Sequence, residues 1–150
     1  MKKFVFTLQA LFNYKQTVEK QQKAELRNAQ LALRELQKEE LRLLEAYAEN
    51  ERSLEEALRS NENVVAALSE HDAYFRFLRD ALKEIRERIA RAERVVSECQ
   101  ARLITTMREI KTYTKLRAEQ YQEYMKEIQT EEEKEMSDLV SFNTISEENY

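Results

Sequence analysis

Stepping alternately four and three residues from Leu78 lands on Leu82, Ile85, Ile89, Ala92, Val96, Cys99, Leu103, Thr106, Ile110 and Tyr113, and only Thr106 is clearly polar. A stripe with a mean spacing of 3.5 residues stays on one side of a helix only if that helix winds left-handedly around a partner. The intervening positions are crowded with Arg, Lys, Glu and Asp. The helix therefore has one narrow face to bury and needs something to bury it against.

The first half of the chain supplies that surface. From Leu8 a seven-residue step gives Lys15, Gln22, Ala29, Leu36, Leu43, Asn50 and Ala57. The companions four residues on are Phe12, Glu19, Leu26, Leu33, Glu40, Tyr47, Leu54 and Asn61. Polar residues interrupt this seam at Lys15, Glu19, Gln22, Glu40 and Asn50; such residues weaken packing and fix register. Leu11, Val18 and Ala46 lie beside the stripe and widen it.

The chain has 150 residues and no Gly or Pro, where average usage is roughly 7% and 5%. With 42% apolar and 36% charged residues it suits long amphipathic helices rather than a thick core. The expected fold is all-α, a single long antiparallel two-helix coiled-coil hairpin. Helix one is expected over about 7–60, a tip over 61–71, helix two over about 72–139 and a disordered tail over 140–150. Thr7 is placed to cap helix one, with Phe6 stapled onto Leu11. Asn61 and Asn63 suit its C-terminus, and Ser69 with Asp72 resembles a capping box for helix two. Val64 to Leu68 suits one helical turn across the tip. Arm one then spans on the order of 80 Å. After Tyr113 the apolar positions drift through Leu116, Tyr121, Tyr124, Met125 and Ile128, a stutter that relaxes the supercoil. Helix two projects past the N-terminus, and basic Lys2, Lys3 and Lys15 fall alongside its acidic end.

No residue pattern here carries chemistry. His71 has Leu68 three residues before it, so a Glu-x-x-His ligand pair is absent, and a polar residue near a helix start is the better reading. Cys99 sits on the seam as a small hydrophobe. Acidic runs such as Glu131 to Glu133 are solvated carboxylates without the environment that acid/base catalysis needs. A Gly-rich phosphate loop is excluded by composition. No cofactor or metal is expected. A net charge of −4, with 25 basic and 29 acidic residues interspersed, gives no electrostatic case for nucleic acid. No apolar run approaches the roughly 20 residues that cross a bilayer, the first residues lack the apolar segment and small-residue cleavage site of a signal peptide, and one cysteine suits a reducing, cytoplasmic setting. The aromatics are the remaining candidates. Phe4, Phe6, Phe12, Tyr14, Tyr121 and Tyr124 gather at the open end of such a hairpin, and Tyr47, Tyr74, Phe75 and Phe77 flank its tip. They either fill wide places in the seam or form partner surfaces at both ends.

The opening Met1-Lys2-Lys3-Phe4-Val5-Phe6-Thr7-Leu8-Gln9-Ala10-Leu11, with Glu133-Lys134-Glu135-Met136-Ser137-Asp138-Leu139-Val140 near the end, resembles the FliJ family of flagellar export proteins. The family's adjacent Asp-Glu near the C-terminus is replaced here by Ser137 and Asp138. The resemblance implies a non-enzymatic stalk or adaptor of flagellar type III protein export, at the cytoplasmic face of the basal body and peripheral to the membrane. Its open end would enter the hexameric ring of the export ATPase and promote ring assembly, through Phe4, Phe6, Leu11, Tyr14, Tyr121 and Tyr124. Its tip side would contact the cytoplasmic domain of the export gate through Leu44, Tyr47, Tyr74 and Phe77. Flagellar export chaperones complete the implied partners. The other readings of the sequence are a self-associating structural coiled coil and a holdase chaperone that grips clients with the hairpin tip.

Overall fold

A computed structural model describes residues 2–60 and 63–148. Two helices, α1 (Gln9–Arg59) and α2 (Val64–Glu148), account for the secondary structure of the described residues, and they pack against each other as a helical hairpin. The contacts fall into two units, one of Gln21–Leu103 and one of Met1–Lys20 with Ile104–Tyr150.

In the unit of Gln21–Leu103 the buried row of α2 is the one that the spacing predicts. Leu78, Leu82, Ile85, Ile89, Cys99 and Leu103 are all buried. Leu82, Ile85 and Ile89 form the core cluster, against which Leu33, Leu36 and Leu43 of α1 pack. Each fully buried aliphatic side chain contributes roughly 1.5–3 kcal/mol relative to exposure. The pairing is antiparallel, since partners climb on one helix as they descend on the other: Glu40 with Arg86, Tyr47 with Phe75, Asn50 with His71. Asn50, the polar break in the first seam, is 7% exposed. It gives its Nδ2–H to the His71 carbonyl at 3.1 Å, and its Oδ1 lies 2.6 Å from His71 Nδ1. With Nδ2 donating, Oδ1 is the acceptor, so the imidazole carries its proton on Nδ1.

The helix ends depart from the sequence expectations. α1 starts at Gln9 through a backbone turn in which Gln9 N–H bonds the Phe6 carbonyl at 3.0 Å, rather than through a cap by Thr7. At its other end Ser60 closes the helix, its hydroxyl donating to the Ala57 carbonyl at 3.0 Å. The expected cap Asn61 lies outside the described residues. Asn63 does the opposite of what its position after helix one suggests. Its Oδ1 accepts the Ala66 N–H at 3.4 Å, the N-cap geometry, so α2 begins at Val64 and not at Ser69 or Asp72. The stretch Val64 to Leu68, expected as a turn across the tip, is thus the first turn of α2 itself.

In the other unit Thr106 is buried, and Ile110 and Tyr113 are half-buried, continuing the row. Beyond Tyr113 the half-buried positions are Leu116, Gln120, Tyr124 and Ile128, so the drift runs through Gln120 rather than Tyr121. α2 continues as helix to Glu148, where a disordered tail from residue 140 was expected. Nothing between Val140 and Glu148 breaks a helix, and Thr144 hydroxyl bonds the Val140 carbonyl at 2.9 Å. Every side chain from Gln129 to Glu148 is exposed, so the row that pairs with α1 does not extend into this stretch.

Candidate interaction surfaces

The extended lead before α1 is held by aromatic packing. Phe4 is half-buried, edge-on to Tyr121 at 5.2 Å and tilted against Tyr124 at 5.5 Å. The Tyr124 hydroxyl donates to the Lys2 carbonyl at 2.5 Å. Phe6 is 4% exposed and packs edge-on to Phe12 at 6.4 Å, so this residue, expected to face a partner, is core instead. Its expected staple partner Leu11 lies on the surface. What the lead leaves open is a half-exposed Tyr121, with Leu11 and a 61% exposed Tyr14 on α1. Tyr121 borders an apolar groove of about 400 Å³, lined also by Phe4, Phe12, Thr114, Arg117 and Ala118; Leu11 and Tyr14 do not line it. A second groove of about 410 Å³ sets Lys2 and Lys3 with Glu123, Glu127 and Glu131, the meeting of basic lead and acidic helix that the sequence implies.

Lys15 interrupts the seam and is matched across it. Its Nζ lies 2.5 Å from a Glu109 carboxylate oxygen that is shielded from solvent. The hydrogen bond from the ammonium to that carboxylate, followed by their charge attraction, raises the Lys15 pKa above its ordinary 10.5. The pair lets a cation sit in the seam without an uncompensated charge.

In the unit of Gln21–Leu103 the four tip-side residues divide. Tyr47 is half-buried with its ring 4.8 Å from Phe75 and belongs to the helix pairing. Tyr74 and Phe77 stack nearly parallel at 6.2 Å on the surface, Phe77 being 63% exposed. Leu44 is also exposed, so three of the four are available to a partner. The Asn50–His71 link escaped the sequence reading, although Asn50 stood out as a polar break in its row and His71 as a polar residue near a helix start. Cys99 is buried, with its sulfur 3.4 Å from Arg102 Nη2. Among the described residues no cluster of His, Cys, Asp and Glu is arranged to hold a metal ion, and no helix is long and apolar enough to cross a membrane.

A long paired-helix fold and separate exposed aromatic surfaces are shared by many coiled coils, so the decisive observation is the family comparison. The model of the flagellar FliJ protein matches residues 4–149, nearly the whole chain. The chain belongs to the FliJ family. Membership carries a role in flagellar export, and the match spans the second terminal motif, Glu133–Val140, and all but the first three residues of the motif that begins at Met1. No curated protein and no solved structure matched.

Proposed function

We propose that this FliJ chain is a non-enzymatic adaptor that engages the export ATPase ring with its terminal unit, promotes ring assembly, contacts the export gate with its tip-side surface, and links the ring to export chaperones. The observation that carries the reading is the half-exposed Tyr121 at the edge of an apolar groove lined by Phe4, Phe12, Thr114, Arg117 and Ala118, with Leu11 and Tyr14 exposed elsewhere on α1 in the same unit. Exposed aromatics bordering an apolar groove are the usual anchors of a protein interface. Phe4 and Tyr124 act in this scheme by holding the lead against α2, and Phe6 by filling the core beneath it. Leu44, Tyr74 and Phe77 form the corresponding gate-facing set, with Tyr47 bracing α2 through Phe75. Localisation at the cytoplasmic face of the basal body follows from these partners.

The test is pull-down of the export ATPase and, separately, of the soluble domain of the export gate. Tyr14→Ser with Tyr121→Ser should lose the ATPase and keep the gate; Tyr74→Ser with Phe77→Ser should do the reverse. Equal retention of both partners by both variants would refute the assignment of surfaces.

A further inference from the structure

While the seam that pairs α2 with α1 drifts after Tyr113, a second row on α2 keeps strict heptad spacing throughout. It runs from Ile104 through Met107, Lys111, Thr114, Ala118 and Tyr121, and on through Met125, Ile128, Glu132, Glu135, Leu139 and Phe142. Ile104, Met107, Tyr121 and Met125 are each between 46% and 48% exposed, and Leu139 and Phe142 more so. Eight of the twelve positions are apolar or aromatic, and of these Ile128 is half-buried and shared with the existing pairing; an apolar row of this spacing on the flank of a paired helix is a seam without its partner.

The row carries its own complement. Turned end for end about Glu123, it brings Ile104 opposite Phe142 of a second copy, Met107 opposite Leu139, Ala118 opposite Ile128 and Tyr121 opposite Met125. The polar positions also meet each other, Lys111 facing Glu135 and Thr114 facing Glu132, and beside them Arg117 falls near Glu131. A parallel arrangement would instead set Lys111 on Lys111 and Glu132 on Glu132. The small side chains of Thr114 and Ala118 leave an open groove of about 610 Å³ with Arg108, Lys111 and Lys115 along it. The opposing segment carries Glu131, Glu132, Glu133 and Glu135. We infer that α2 residues 104–142 form an antiparallel, two-fold symmetric coiled-coil interface with a second copy of this chain, leaving the hairpin of each copy intact. This second seam would convert the fully exposed end of α2 into a buried one, and it occupies Tyr121, so the dimer and a partner at that surface exclude each other.

Sedimentation equilibrium of the full chain at micromolar concentrations tests this, with charge swaps at the polar layer. Lys111→Glu and Glu135→Lys each place like charges opposite each other twice per dimer. Each should weaken dimerisation by roughly tenfold or more. The double variant restores opposite charges and should recover the dimer. In a Cys99→Ala background, a mixture of Thr114→Cys and Glu132→Cys chains should form a disulfide that neither chain forms alone. A monomer at every concentration overturns the inference, as do single swaps without effect, a double swap that fails to recover, or a cysteine pairing with its own copy. None of these outcomes involves the export ATPase, so they leave the proposed function to be judged separately.

Discussion

Asn50 and His71 hold each other by two hydrogen bonds across the helix pair, side chain to backbone at 3.1 Å and side chain to side chain at 2.6 Å. An apolar seam of similar residues tolerates sliding by whole heptads, because Leu36 or Leu43 packs as well one layer away. A buried carboxamide does not, because any other register leaves it without partners.

Replacing Asn50 with Ala should cost about 1–3 kcal/mol, the penalty for leaving the imidazole N–H without its acceptor. Denaturant unfolding of Asn50→Ala, His71→Ala and the double variant should give a coupling energy of about 0.5–3 kcal/mol. Additive losses would mean that the two residues act independently.

The buried row and the exposed aromatics should separate cleanly by stability. Leu82→Ala removes a side chain from the core cluster and should cost about 2–5 kcal/mol, and Phe6→Ala about 3–5 kcal/mol. Tyr14→Ser and Phe77→Ser should stay within about 0.5 kcal/mol of the parent. Thermal melts followed by circular dichroism distinguish them. A large loss for Tyr14→Ser would make it a core residue and remove it from the interface.

Lys15 sets an alkaline limit on its part of the seam. Its folded pKa is raised above the unfolded 10.5, so the stabilisation from Glu109 is fully present below about that pH and is lost as pH rises through the folded value. The stability difference between the parent and Lys15→Met should therefore be constant from neutral pH to just below 10.5 and shrink at higher pH. A difference that already falls between pH 7 and 9 would show that another group is responsible.

At concentrations where the chain is monomeric, deleting residues 131–150 should leave the unfolding transition of the remaining hairpin within about 0.5 kcal/mol, because no described side chain beyond Ile128 is buried within the chain. Amide exchange should be fastest along the same stretch. Strong protection there in dilute solution would mean that this end of α2 packs on something within its own chain.

The pairing of the helices was legible because burial follows spacing. Leu78, Leu82, Ile85, Ile89, Cys99, Leu103 and Thr106 are buried, and Ala92 and Val96 half-buried, where steps of four and three put them, and even the polar Lys15, Gln22 and Asn50 take seam positions. Helix ends were not legible, because Asn63 suits the end of one helix as well as the start of the next, and only its bond to Ala66 decides. The end of α2 hid as well, since the row that pairs with α1 does not continue there and every side chain beyond Ile128 is exposed. The aromatic set could be located by its ends of the chain but not sorted. Phe6 and Tyr14 are equally aromatic in sequence, and only the turn joining Phe6 to Gln9 sends one inward.

The most direct measurement is the ATP hydrolysis rate and oligomer size of the flagellar export ATPase with and without this protein. Faster turnover and more complete rings, abolished by Tyr14→Ser with Tyr121→Ser at unchanged helix content, are the predicted result. An ATPase whose rate and size do not respond, with no binding by sedimentation at micromolar concentrations, would contradict the adaptor role.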